Sequence, residues 1–212
     1  GHFLPRPKVG WNPFAPLQAH DAQIAASGIT TVFDAIRVGT DEEVALNHET
    51  ARQLADTITE AQATGRMRAE HFIHVRCEVS ADDAIEGFSQ LSTNPRLRLA
   101  SLMDHAPGQR QFVNLDAYRL YYQRKRGLSD EAFERFMETR RAESERNSAR
   151  SRRAIAALCH ERGIAVASHD DAFESHVDEA VALGTRIAEF PTTMIAAITS
   201  QPAEPQLNAR KV

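Results

Sequence analysis

Residues 15–34 read APLQAHDAQIAASGITTVFD, and they contain a helix, a glycine and a strand in that order. The stretch 15–27 is predicted to be helical, and Gly28 is the residue that ends the helix. The β-branched run 29–33 is predicted to be a strand that ends at Asp34. Helices that alternate with short apolar strands are typical of parallel α/β proteins, so this stretch predicts that class.

The same unit recurs along the chain. The predicted strands cover residues 29–33, 72–79, 97–103, 164–168 and 186–190. A capping-box spacing over 40–43 predicts the start of a helix that runs to residue 64 and stops at Gly65. Strands that alternate with helices in this way indicate βαβ units in a parallel sheet.

A long helical excursion is predicted between residues 115 and 162. No Gly or Pro occurs between Ser129, a predicted N-cap, and Gly163. A continuous helix of this length would measure about 50 Å, which is too long for one crossover. Its middle, residues 138–153, contains only Ala142 and Ala149 as apolar residues. We therefore expect this segment to project into solvent, to break into two helices, or to pack on a partner.

Composition limits the possible functions. The chain has 212 residues, 25 basic and 29 acidic side chains, and a formal net charge of −4. Residues 119–153 hold 11 basic and 6 acidic side chains, which indicates either a solvated helix with i,i+4 ion pairs or a face for phosphates. A nucleic-acid partner is not expected for an acidic chain. No apolar run approaches the roughly 18 residues of a membrane span, so we expect a cytoplasmic protein without a membrane partner.

Acidic or histidine side chains stand at the end of each predicted strand. These residues are Asp34, Glu78, His105, His169 and Glu189. Parallel α/β proteins bind ligands at the C-terminal edge of the sheet, and barrel enzymes take catalytic groups from several strand ends. The alternative is that these residues only begin solvated loops, but five such positions in five strands favour a ligand site.

Strand alternation brings several of these side chains onto shared faces. His74, Arg76 and Glu78 lie on one face of the strand over 72–79, and small residues precede His169 on its face. Two imidazoles and one carboxylate, from His105, His169 and Glu78, would converge and predict a site for Zn, Mn or Fe. For any one of these histidines alone, a structural role is the alternative.

The stretch 101–112, SLMDHAPGQRQF, resembles the signature of the PhnM-type diphosphatases of the carbon–phosphorus lyase pathway, which belong to the amidohydrolase superfamily. Further matching pieces follow the family order: FLPRP at 3–7, AHDAQ at 19–23, GITTVFD at 28–34, RCEV at 76–79, ASHDD at 167–171 and AEFPTT at 188–193. The resemblance covers residues 3–197.

The resemblance implies a TIM-type (β/α) barrel that holds a divalent metal. It also implies a phosphorylated sugar as substrate: a ribose 1-alkylphosphonate 5-triphosphate, which the family hydrolyses to the 5-phosphate and pyrophosphate. Superfamily practice makes Glu78, His105 and His169 the metal ligands. A weaker possibility is an amidohydrolase that acts on a C–N bond.

The resemblance also suggests residues that bind the substrate. Arg110, with Gln109 beside it, is the candidate for a phosphate clamp, and the alternative is a loop arginine that pairs with a nearby acid. Arg76 either binds phosphate or neutralises Glu78. His74, on the same strand face, completes the predicted substrate-binding set.

The chain departs from the family at several points. A histidine motif expected on the first barrel strand and a catalytic Asp expected near the last strand have no counterpart here, so no catalytic residue is assigned. Ala106 also stands where the family has Thr. We expect a partial barrel of five to six parallel strands over residues 1–197, a tail over 198–212, and weakened or absent metal binding.

Two consequences follow from an incomplete barrel. Exposed sheet edges favour homo-oligomers. The alternative to an active enzyme is a catalytically incompetent remnant that serves only as an oligomerising or binding module.

Overall fold

The computed structural model describes residues 12–39 and 47–190. Five strands form one parallel sheet in the order of the chain: β1 Thr31–Val38, β2 Glu70–Glu78, β3 Leu97–Met103, β4 Ala165–His169 and β5 Ile187–Glu189. The helices are α1 Phe14–Ala26, α2 His48–Ala63, α3 Ala84–Leu91, α4 Leu115–Arg126, α5 Asp130–Arg162 and α6 Glu174–Ala182, with a 3-10 turn at Arg110–Phe112. The parallel α/β class is confirmed, whereas a closed barrel stays a prediction.

The hydrophobic core lies between one face of the sheet and the helices. Alternate residues of β2, namely Ile73, Val75 and Cys77, are completely buried there against α2, α3 and α5. We call the opposite face of the sheet the inner face. It carries Phe33, Arg37, His74, Arg76, Glu78, Ser101, His169 and Glu189. The alternation predicted for β2 is therefore confirmed.

The predicted end of β1 is wrong. The strand does not stop at Asp34 but continues to Val38, and it pairs with β2 from Thr31↔Glu70 to Val38↔Cys77. Asp34 lies in the middle of the strand on the helix-facing side, where its Oδ2 is 2.6 Å from His71 Nδ1. A buried carboxylate is tolerated inside a strand when a hydrogen-bond partner meets it, and that partner cannot be read from the local pattern.

Helix α2 ends where the sequence predicted. Its last residue is Ala63, followed by Gly65 at positive φ. Its first residue is His48, and the Asn47 side chain caps it by accepting a hydrogen bond from Thr50 N at 2.8 Å. The predicted capping box over 40–43 lies outside the described residues, as do the pieces 3–7 and 191–193 and the tail 198–212.

The helical excursion consists of α4 and one unbroken helix, α5, of 33 residues. Ser129 caps α5 as predicted, since its side chain accepts a hydrogen bond from Ala132 N at 3.3 Å. The first turns of α5 pack on α4 in a second cluster formed by Phe112, Tyr118, Tyr122, Phe133 and Met137. The prediction of a break or of a wholly solvated middle is wrong, because polar residues of the middle are buried against this chain's own loops.

Within the part of the chain that the structure describes, no helix combines the length and the apolar character that crossing a membrane requires.

Candidate metal centre

The C-terminal ends of β2 to β5 lie side by side along one edge of the sheet. Strand pairing aligns Glu78 with Met103 and His169 with Glu189, and His105 follows two residues after the end of β3. Four of the five strand-end residues chosen from the sequence therefore meet at this edge. Parallel α/β proteins bind their ligands at the same place.

His105 is oriented by Glu78. Its Nδ1 lies 2.6 Å from Glu78 Oε2, and its backbone N–H donates to Glu78 Oε1 at 2.9 Å. Because Nδ1 faces a carboxylate, Nδ1–H donates to that carboxylate and Nε2 is left for another partner. The ring of His105 is 5.7 Å from that of His169, centre to centre. One carboxylate thus fixes both the backbone and the imidazole of His105.

His169 is oriented in the same way by Glu189 on the neighbouring strand. The distance from His169 Nδ1 to Glu189 Oε2 is 2.6 Å. On the other side of the ring, Nε2 lies 3.3 Å from Asp170 Oδ2 and 3.3 Å from Arg76 Nη2. Both histidines therefore turn Nδ1 towards a glutamate and leave Nε2 for another partner.

The two glutamates are held in the charged form. Burial alone would raise the pKa of Glu78, but the hydrogen bond from His105 and the charges of His105 and Arg37 lower that pKa to about 2. Burial would also raise the pKa of Glu189, which the hydrogen bond from His169 and the charges of His74 and His169 lower instead. Ionised carboxylates are the acceptors that the two Nδ1–H groups need.

His105, His169 and Asp170 fit a divalent cation. Each offers one ligand atom, these atoms lie within 4.8 Å of one another, and no other such group occurs in residues 12–39 and 47–190. Imidazole nitrogen and carboxylate oxygen are ligands that Zn, Mn and Fe accept. A carboxylate at Nδ1 of each histidine is the arrangement that orients metal-binding imidazoles in known sites.

The structure places Glu78 behind His105 and not within this group of three. Both oxygens of Glu78 already accept hydrogen bonds, Oε2 from Arg37 and Oε1 from Ser80 in addition to those of His105. The third member of the group is Asp170, which sequence reasoning missed. The signal was present, because Asp170 directly follows His169 at the strand end.

Two predicted substrate-binding residues, Arg76 and His74, lie on the inner face below the histidines. Arg76 is half-buried and approaches His169, whereas the arginine that pairs with Glu78 is Arg37, at 3.0 Å. His74 Nε2 lies 2.8 Å from Ser101 Oγ and 3.2 Å from Glu189 Oε1. Burial, together with the nearby charges of Arg76 and His169, lowers the pKa of His74.

The other predicted pair, Arg110 and Gln109, lies in the loop that follows His105. Arg110 is buried, its Nη1 pairs with Asp171, and its Nη2 donates to Glu179 Oε2 at 2.7 Å. This matches the alternative of a loop arginine paired with acids, and it ties the loop after β3 to the loop after β4 and to α6. Gln109 is half-buried in the same loop.

The polar middle of α5 supports the loop that carries His105. Asp104, only 2% exposed, accepts hydrogen bonds at Oδ2 from Ser144 Oγ at 2.8 Å and from Ser148 Oγ at 2.6 Å. Its other oxygen, Oδ1, accepts from Ala106 N at 3.0 Å. The residue directly before His105 is therefore fastened to α5 by charge-assisted hydrogen bonds.

The same helix supports the residues that follow β2. Arg140 Nη2 donates to Ser80 Oγ at 3.1 Å, and Ser80 Oγ donates to Glu78 Oε1 at 2.9 Å. Asn147 Nδ2 donates to Ser80 O at 2.9 Å. Both strand ends that form the Glu78–His105 pair are thus held by one helix, and the polar composition of its middle is explained by these contacts.

Comparison with known proteins confirms the resemblance seen in the sequence. The chain is 45% identical over 199 residues to the alpha-D-ribose 1-methylphosphonate 5-triphosphate diphosphatase of Escherichia coli (strain K12). The aligned region covers 94% of this chain and 53% of that enzyme, so the chain spans about half the length of its relative. No protein-family model matches the chain.

Proposed function

We propose that this chain forms the part of a metal-dependent diphosphatase that carries the metal centre. Its substrate would be a ribose 1-alkylphosphonate 5-triphosphate, and addition of one water would give the 5-phosphate and pyrophosphate. The proposal rests on one observation. Two imidazoles, each oriented by a buried glutamate, meet Asp170 at the strand ends of a chain that is 45% identical to such an enzyme.

A TIM-type barrel is the fold that we propose for the complete catalytic unit. Five parallel strands in sequential order, with helical structure after each of the first four, are the arrangement that such a barrel repeats. In a closed barrel the inner face would be covered by further strands. Phe33 on that face is 40% exposed, as expected of a side chain that the further strands of a closed barrel would bury.

Each residue of the candidate site would have its own role in the proposed hydrolysis. Glu78 and Glu189 hold His105 and His169 at Nδ1, so that each Nε2 would face the cation, and Asp170 would add a carboxylate oxygen. A divalent cation held there would activate water for attack and neutralise charge on the phosphate oxygens. Arg76, half-buried beside His169, is placed to donate hydrogen bonds to a phosphate. No general base is assigned among the described residues.

The experiment is a pyrophosphate-release assay on ribose 5-triphosphate analogues with added Zn²⁺ or Mn²⁺. This chain is compared with a version extended at both ends to the length of the Escherichia coli relative. Turnover by either protein, abolished by His169→Ala, supports the diphosphatase. Metal binding without turnover by this chain, and turnover by the extended one, would assign this chain the role of an inactive binding or oligomerising module. No turnover by the extended protein would contradict the proposal.

A further inference from the structure

Helix α4 turns an unusual surface towards solvent. Its inner side is buried on α5 through Tyr118 and Tyr122, whereas Leu120 is 57% exposed and Tyr121 is 50% exposed. We define the outer face of α4 as the exposed residues Asp116, Ala117, Leu120, Tyr121 and Arg124. Large apolar side chains that cluster on a surface mark an interaction site more often than scattered ones do.

Two charges on this face have no ion-pair partner in the described part of the chain. Within residues 12–39 and 47–190, neither the carboxylate of Asp116 nor the guanidinium of Arg124 forms an ion pair, although Arg119 beside them pairs with Asp130 and Glu134. The apolar centre of the face is thus flanked by one free negative charge and one free positive charge.

The spacing of these residues makes the outer face of α4 self-complementary under a two-fold rotation. Asp116, Leu120 and Arg124 are four residues apart and form one ridge of the helix. Arg119 and Gln123 form the next ridge, and the groove among these five residues has a volume of about 330 Å³. Along the first ridge the order is negative, apolar, positive. A second copy turned through a two-fold axis at Leu120 presents the order positive, apolar, negative.

We propose that the outer face of α4 pairs with the same face of a second copy of this chain. The two helices run antiparallel, with Leu120 at the axis and Asp116 of each copy against Arg124 of the other. A two-fold axis satisfies both ion pairs at once, as an isologous interface requires. Ridges formed by residues four apart interdigitate at a crossing angle of about −50°. A uniformly acidic or a uniformly basic partner would place a like charge against Asp116 or Arg124, whereas a second copy pairs both residues with the opposite charge.

This interface does not depend on the proposed activity. The sequence suggested homo-oligomers through exposed sheet edges, whereas the outer face of α4 belongs to a helix of the excursion and to no strand of the sheet.

Sedimentation velocity on a dilution series of four proteins tests it. The unaltered chain is expected to dimerise. Asp116→Arg leaves two positive charges facing two positive charges, and Arg124→Asp leaves four negative charges, so each variant should dissociate with a dissociation constant at least about tenfold higher. In an equimolar mixture of these two variants every facing pair is opposite in charge, and a mixed dimer should form. Glu138→Arg, an exposed change on α5, is the matched control and should dimerise normally.

All substituted side chains are exposed, so circular dichroism is expected to show an unchanged fold. Restoration of the dimer in the mixture, but not in either variant alone, establishes the antiparallel contact. A monomeric unaltered chain would overturn the proposal. So would single variants that remain dimeric, or a mixture that remains monomeric.

Discussion

The helix-facing side of the sheet is filled with apolar side chains, whereas its inner face carries imidazoles, carboxylates and guanidinium groups. Ile73 and Val75 are completely buried on the first side, next in sequence to His74 and Arg76 on the second. Apolar burial stabilises a fold without regard to orientation, but hydrogen-bonded charges require fixed geometry. The two faces of one strand should therefore respond differently to substitution: one in stability, the other in ligand binding.

The largest effect is expected on the helix-facing side. Ile73→Ala removes a completely buried side chain from the core and should lower the free energy of unfolding by about 2–5 kcal/mol. Phe33→Ala, on the inner face, deletes a larger side chain that is 40% exposed and should cost less. Urea denaturation of both variants measures the difference. An equal loss for both would show that the inner face is as closely packed as the core.

A smaller effect is expected where α5 supports the strand ends. Replacing Ser144 and Ser148 together by Ala removes two hydrogen bonds to the buried carboxylate of Asp104. Hydrogen bonds to charged groups contribute about 1.5–3 kcal/mol where nothing replaces them, but Ser148 is only half-buried and Arg152 lies 3.7 Å from the same carboxylate, so water and Arg152 should compensate part of the loss. The loop that carries His105 should loosen. The double variant should unfold earlier in urea and bind Co²⁺ more weakly.

Ser151→Ala is the matched control for that prediction. Ser151 is buried on the same helix, but its hydroxyl has no hydrogen-bond partner among the described residues. Its removal should change neither unfolding nor Co²⁺ binding. If the double variant also bound Co²⁺ like the unaltered chain, α5 would not position the centre.

The smallest effect concerns a charged exception on the helix-facing side. His71 is completely buried between Asp34, at 2.6 Å, and Asp21, at 3.4 Å. Burial lowers the pKa of His71, but the two carboxylates outweigh it and raise that pKa above its ordinary value. A raised pKa in the folded state stabilises the protein below pH 6.5, and this contribution disappears as the pH rises through the folded-state pKa.

Stability measured by urea denaturation should therefore decline between about pH 6 and pH 8, in the range of histidine titration. His71→Gln should be less stable at the lower pH and should show a flatter profile. An identical slope in this variant would place the titrating group elsewhere.

Local pattern predicted much of this molecule, and its failures share one cause. The glycine-bounded units predicted the parallel sheet, and the strand ends predicted that His105 and His169 would meet. The pattern could not show that Asp34 is matched by His71, because the two residues are distant in the chain. Nor could it show that the polar middle of α5 is buried, since hydrophobic periodicity registers apolar burial only.

The role of Glu78 illustrates the same limit. Its position on the inner face followed from alternation, and the family resemblance made it a metal ligand. The structure directs its carboxylate to His105 and Arg37 instead. Strand period specifies which face a side chain occupies, whereas its hydrogen-bond partner depends on how neighbouring strands and loops are staggered.

The central claim is that His105, His169 and Asp170 form one metal centre, and Co²⁺ titration followed by the visible absorption of the bound ion tests it most directly. The unaltered chain is expected to bind one Co²⁺ with a spectrum typical of nitrogen and oxygen ligands. His169→Ala should abolish that spectrum while the protein stays folded, and His160→Ala, at an exposed histidine, should leave it unchanged. A His169→Ala protein that binds Co²⁺ with the same affinity and spectrum as the unaltered chain would contradict the account.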